Sequence, residues 1–292
     1  MIVLLLACSS FIPTERESLE LLALTDNGDI FEVRFTKGDT GIFKGQGHVR
    51  VHRWIREQTP MSYILNTSPA DTNIDATSAR FGPLKLYKNN NSWSLYIRSE
   101  ELNASATFAI TTTPVTKTEK DWTVEVLEQN GDFRGWASAQ QRSAPINARA
   151  TLVHRHGTGI LTDPKETLIM FGKNFHLGIE KQGDLELIWG EWQGESLADI
   201  NFEYQDSQHG RQINASNWAV NFYATHHLGS DDSFEHIFAM EKWASSKLIS
   251  TYQRDVFQGY AKIKRGDEEL TANAFFIYQG DDPPSIQPPR KR

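Results

Sequence analysis

Two imidazoles close an alternating segment, INARATLVHRHGTG, that runs from Ile146 to Gly159. In an extended chain successive side chains point to opposite faces, so Ile146, Ala148, Ala150, Leu152, His154 and His156 share one face. Two steps along a strand set the His154 and His156 Cα atoms roughly 6–7 Å apart. Such a pair can hydrogen-bond a ligand hydroxyl or carbonyl, or move a proton near neutral pH. It can equally be satisfied by backbone or carboxylates at the end of a core. Ala148 and Ala150 are the clue to a pocket, because small inward residues leave room for a ligand. NWAVNFYATHHL has the same logic, with Trp218, Val220, Phe222, Ala224 and His226 on one face.

Other chemistries find less support. His154-x-His156, His226-His227 and Glu235-His236 supply metal-ligand types, but a zinc or iron site needs three or four to converge, and no spacing matches a specific metal motif. The expectation is therefore no metal and no cofactor. There is no Gly-x-Ser-x-Gly elbow for a hydrolase. In GQGHVRVHRW, His48, Arg50 and His52 lie opposite Val49 and Val51, a face polar enough to turn to solvent or to a neighbouring domain.

The elements that must position these residues are strands. LLALTDNGDIFEVRF reads as strand, Asn-Gly-Asp turn and strand. PLKLYKNNNSWSLYIRS is a hairpin about its triple Asn, WTVEVLEQNGDFRGWASA contains an Asn-Gly turn, and VFQGYAKIKRGDEELTANAFFIY closes on an Arg-Gly-Asp turn. Only SFEHIFAMEKWASS fits a short helix, and it also fits a strand with a bulge. Many short strands at 8–12-residue spacing, in a chain of 292 residues, predict two successive antiparallel barrels or sandwiches.

The balance of 30 Lys and Arg against 37 Asp and Glu, a net charge of -7, argues against a nucleic-acid partner. The one cysteine excludes an intramolecular disulfide. It ends the apolar run MIVLLLAC, where Cys8 stands as the lipidated residue of a bacterial lipobox would. The expected localisation is the cell envelope, as an outer-membrane lipoprotein facing the periplasm, touching membrane only through that anchor. No later apolar run approaches the ~20 residues of a spanning helix.

The order of these pieces resembles the AttH-like and carotenoid-hydratase-like group, which includes survival-factor-type proteins. The resemblance is carried by FGPLKLYKNNNSWSLYIRSEELNASATFAITTTP and by INARATLVHRHGTG, and at the level of pattern it covers most of residues 21–280. The paired Trp and Tyr motif is missing, and the group's Asp-His-x-x-Gly ending is His154-Arg155-His156-Gly157 here, without the Asp. The resemblance implies an all-β fold of two consecutive lipocalin-like (calycin) barrels, expected at 21–162 and 163–280. The residues themselves indicate a signal segment at 1–8, a polar linker at 9–20 and a disordered Pro-rich tail at 281–292. The resemblance also implies binding of a lipophilic molecule and, in the hydratase branch, cofactor-free acid–base addition of water to an isoprenoid double bond.

Two functions follow. The favoured one is a lipid-anchored module that binds a hydrophobic lipid- or isoprenoid-class molecule, with Ala148, Ala150, Trp218, Phe222 and His226 lining its cavity. The alternative is a hydratase or isomerase in which His154 and His156 are the catalytic acid–base pair. The second requires an imidazole within ~3 Å of a carboxylate in a pocket.

Overall fold

The computed structural model describes residues 15–40, 43–109, 113–119, 122–138, 145–158, 164, 166–182, 185–197, 202–207, 210–215, 218–232, 253–279 and 285–286. Cys8, the SFEHIFAMEKWASS segment with Glu235 and His236, and nearly all of the Pro-rich tail lie outside them.

Strand follows strand. The first twelve are β1 (Arg16–Thr25), β2 (Ile30–Thr40), β3 (Phe43–Trp54), β4 (Met61–Thr67), β5 (Thr72–Asp75), β6 (Ser78–Phe81), β7 (Leu84–Asn89), β8 (Ser92–Arg98), β9 (Asn103–Ala109), β10 (Val115–Glu119), β11 (Trp122–Ser138) and β12 (Ile146–Gly157). They form one antiparallel sheet in the order β4-β3-β2-β1-β12-β11-β9-β8-β7-β6-β5, with β10 also on β11. This sheet curls into a barrel. A second sheet holds β13 (Glu166–Gly172), β14 (Phe175–Gln182), β15 (Leu185–Trp192), β16 (Glu195–Ser196), β17 (Phe202–Ser207), β18 (Gly210–Ala215), β19 (Trp218–Asp232), β20 (Gln253–Arg265) and β21 (Glu268–Gln279). Its order is β16-β15-β14-β13-β21-β20-β19-β18-β17, and it curls into a half-barrel. The all-β, double lipocalin-like architecture is thus the observed one.

Local chemistry explains the joints. Asn90 adopts φ 50° between β7 and β8, in the left-handed region that Asn tolerates, and Gly266 turns at φ 59° between β20 and β21. One expected turn is absent. Asn130-Gly131 lies within β11, which runs on through register shifts against β12 between Val126 and Gly131. The reason is steric: a Cβ on Gly131 would stand 1.7 Å from the Phe108 ring, so the glycine lets an aromatic side chain cross the strand. β1 also begins early, taking Arg16 to Glu20 from the stretch read as linker.

Alternation sorts each strand between two cores. In the first barrel Leu19, Leu21, Phe31, Val33, Phe35, Val49 and Val51 point inward. The opposite faces of β1, β2, β3 and β12 meet the second sheet. Leu22, Ile30, Trp54 and Val153 pack there with Ile169, Trp189, Val256 and Phe275. The polar face of β3 therefore turns to the other barrel, one of its two expected destinations.

That interface also carries a layer of ion pairs. Glu20 accepts from Arg34 at 3.1 Å and from Arg155 at 2.5 Å, and Arg155 crosses to Glu180 of the second sheet. Arg254 crosses the other way, 2.8 Å from Glu32, while also holding Asp231 at 2.5 Å; Arg50 lies 2.5 Å from Glu32. These side chains are at most 5% exposed. Burial pushes the Glu32 carboxyl up, but Arg254, Arg50 and His52 outweigh it and hold it well below the usual range.

Candidate functional site at the end of the first barrel

The inward face of β12 ends on His154, and its neighbours decide what that imidazole can do. The β11–β12 register sets Glu125 opposite His154, and the β1–β12 register sets Glu17 opposite His156. Both carboxylates continue the inward faces of their strands to the barrel's rim. Glu17 Oε1 lies 2.7 Å from His154 Nε2, and Glu125 Oε2 lies 3.0 Å from Nδ1. The imidazole is buried, whereas the two carboxylates are about a quarter exposed. Burial pushes the His154 pKa down, but its hydrogen bonds to the Glu17 and Glu125 carboxylates and their negative charge outweigh it and raise it above the ordinary histidine value. Each ring nitrogen faces a carboxylate oxygen, an arrangement that an imidazolium satisfies by donating twice.

His156 is exposed, its ring 5.1 Å from that of His154. It opens onto a cleft of about 360 Å³ lined by Glu15, Arg16, Glu17, Lys37, Gly38, His156, Gly157 and Thr158. Charged side chains of both signs, Glu15, Glu17, Arg16 and Lys37, are among the lining. Donor atoms of Glu125, His154 and His156 lie within 4.8 Å of one another, a grouping able to hold a divalent cation.

The remaining residues expected to line a site lie elsewhere. Ala148 and Ala150 face inward and are buried, and the space beside them is taken by aromatics: Phe133 pairs with Ala148 and packs 5.7 Å from Phe31, and Phe108 covers Gly131 opposite Ala150. Trp218 and Phe222 belong to the core of the second sheet, where Phe222 meets Phe276 at 5.5 Å. His226 does not share their face. Ala224 pairs with Gly259 and His226 with Gln258, so an extra residue is bulged out at Thr225 and the alternation is reset. His226 instead accepts or donates to Thr225 Oγ1 at 2.9 Å, and burial followed by the nearby Arg56 lowers its pKa.

A second cleft, of about 350 Å³, lies between the sheets and is lined in part by Asp26, Arg149, Lys173 and Asn273. Glu17 and Glu125 are the functional candidates that residue types alone did not single out. Their signal was available as parity: Glu17, Leu19, Leu21 and Ala23 alternate with Ser18, Glu20 and Leu22.

Fold and site together define a double antiparallel barrel of lipocalin type with a charged rim. Solved structures share that fold. A candidate AttH protein from Nitrosomonas europaea matches with a TM-score of 0.55 at 10% identity, over 91% of this chain and 92% of its own. CghA, crystallised with Sch210972, gives 0.58 at 7% identity over 90% and 88%. Kievitone hydratase from Nectria haematococca gives 0.51 at 9% over 91% and 89%. The sequence-level resemblance to the AttH-like and carotenoid-hydratase-like group is thus matched in architecture. No protein-family profile and no curated protein sequence matches the chain.

Proposed function

We propose that this protein binds a small organic molecule at the open end of its first barrel, with the molecule's polar group received by Glu17 and His156. The observation that carries this reading is the cleft itself: it lies on a rim where an exposed imidazole and a partly exposed carboxylate sit above a buried imidazole held between two carboxylates. Its charged lining favours an amphiphilic ligand, an apolar body bearing a hydroxyl, carbonyl or carboxylate, over a wholly apolar one. CghA, a protein of the same fold, holds Sch210972, which supports small-molecule binding as a use of this architecture. The Cys8 reading adds attachment to the bacterial cell envelope.

A second reading is turnover, of the hydratase or isomerase class. It is favoured by the position of His154, within 3.0 Å of carboxylates on both sides. Glu17 borders the cleft and also bonds the buried imidazole, so a proton arriving on one oxygen can be balanced through the other. Kievitone hydratase lends this reading the fold alone.

Native mass spectrometry of the full chain, with its organic extract analysed in parallel, tests both. A co-purified amphiphile lost on His156→Ala supports binding. Conversion of that molecule by gain of one water, abolished by Glu17→Gln, supports turnover. Retention of the molecule by both variants would place its site elsewhere and overturn the proposal.

A further inference from the structure

We infer that the Glu125, His154 and His156 cluster is a binding site for a divalent cation of the zinc or ferrous class, with Glu17 orienting His154 from outside the coordination sphere. It shares its location with the small-molecule reading above, and the test below separates the two.

The argument begins with lone pairs. A neutral imidazole carries one N–H and one lone pair. If Nε2 donates to Glu17 at 2.7 Å, the Nδ1 lone pair faces the Glu125 carboxylate at 3.0 Å, and the two repel unless a positive centre lies between them. A proton can fill that place, but then one imidazolium serves two carboxylates and the cluster keeps a net charge of about -1. A divalent cation between Nδ1 and Glu125 brings the same groups to neutrality. It also leaves Nε2–H on Glu17, the carboxylate–histidine–metal arrangement that sets ring orientation.

Geometry permits the exchange. Bonds of about 2.0–2.2 Å to N and O in a tetrahedral site put donor atoms roughly 3.3–3.5 Å apart. The Nδ1 to Oε2 separation of 3.0 Å needs only a small opening. The whole set lies within 4.8 Å, so the remaining closure falls to His156, whose exposed ring can rotate. Two ligands come from one strand at a two-residue spacing and the third from its hydrogen-bonded neighbour, so the backbone that holds them is rigid. His156 connects the cluster to the cleft, whose lining also holds Lys37, paired across the strands with Glu17, as a counter-charge for an anionic or carbonyl-bearing ligand. Two imidazoles and one carboxylate suit a borderline cation such as Zn²⁺, Co²⁺ or Fe²⁺.

The test is calorimetric titration of the chelator-stripped full chain with Zn²⁺, and with Co²⁺ followed by its visible absorption. One equivalent per chain with a tetrahedral Co²⁺ spectrum is expected. His156→Ala and Glu125→Gln should each weaken binding by at least about 10-fold, and Glu17→Gln by about 10–100-fold with stoichiometry retained. His156 is exposed, so an unchanged melting curve for its variant shows that lost binding is not lost folding. Absence of saturable binding, or an affinity indifferent to His156→Ala and Glu125→Gln, overturns the site. If the metal fails but an amphiphile still depends on His156, the metal proposal falls and the small-molecule reading stands. Metal uptake without any amphiphile upholds the metal site and removes the small-molecule reading.

Discussion

The layer between the barrels and the rim of the first barrel are built from the same residue types to opposite ends. Between the barrels Arg34, Arg50, Arg155 and Arg254 meet Glu20, Glu32, Glu180 and Asp231, charge for charge, with the side chains almost wholly out of water. Arg155 reaches from the first barrel into the second and Arg254 from the second into the first, so neither face is neutral without its partner. At the rim one imidazole serves two carboxylates and a second imidazole stands in solvent beside a cleft. Balanced and closed, the first arrangement orders the barrels. Unbalanced and open, the second has something left to bind.

The sharpest way to break this contrast is to unbalance the closed layer. Arg155→Met strands Glu180 in the interface, and removing one member of a buried pair costs about 3–5 kcal/mol. Chemical denaturation should show a loss of that size, and adding Glu180→Leu should restore most of it. Full stability in the single variant would mean that water reaches the layer.

Next comes a pH effect. Burial, and then the Arg149 guanidinium, push the His176 pKa down to about 4. The unfolded chain takes up a proton near pH 6.5 that the folded chain refuses until about pH 4, so the stabilisation is complete above 6.5 and fades as pH falls toward 4. A shift of that size corresponds to roughly 3 kcal/mol. His176→Leu should flatten the stability curve across this window.

Gly178→Ala should cost about 1–3 kcal/mol, because the new Cβ would stand 2.0 Å from the Trp189 ring at the interface. The melting temperature reports it. The smallest effect on folding belongs to the rim: His156→Ala should move stability by less than about 0.5 kcal/mol while removing ligand or metal binding. A large loss of stability there would make the rim another structural layer and erase the comparison.

Much of the architecture was legible residue by residue. The alternation of Phe31 to Phe35 and of Trp218 to Ala224 identified strands and their buried faces, because a period of two is a local property. Asn90 and Gly266 marked turns for the same reason. The Asn-Gly pair at Asn130 misled, since whether such a pair turns or is crossed by an aromatic depends on Phe108 from another strand. The parity of His226 failed at a bulge, which is set by pairing with β20.

The site divides along the same line. From the chain alone came two histidines on one face at the end of a strand, and a polar face on β3 opposed to Val49 and Val51. Tertiary structure decided that Glu17, some 137 residues away in the chain, and Glu125, some 29 away, hold His154 from either side. It also decided that aromatic side chains fill the room beside Ala148 and Ala150. Facing is fixed by the geometry of one strand. Partnership depends on register between strands, which no single segment encodes.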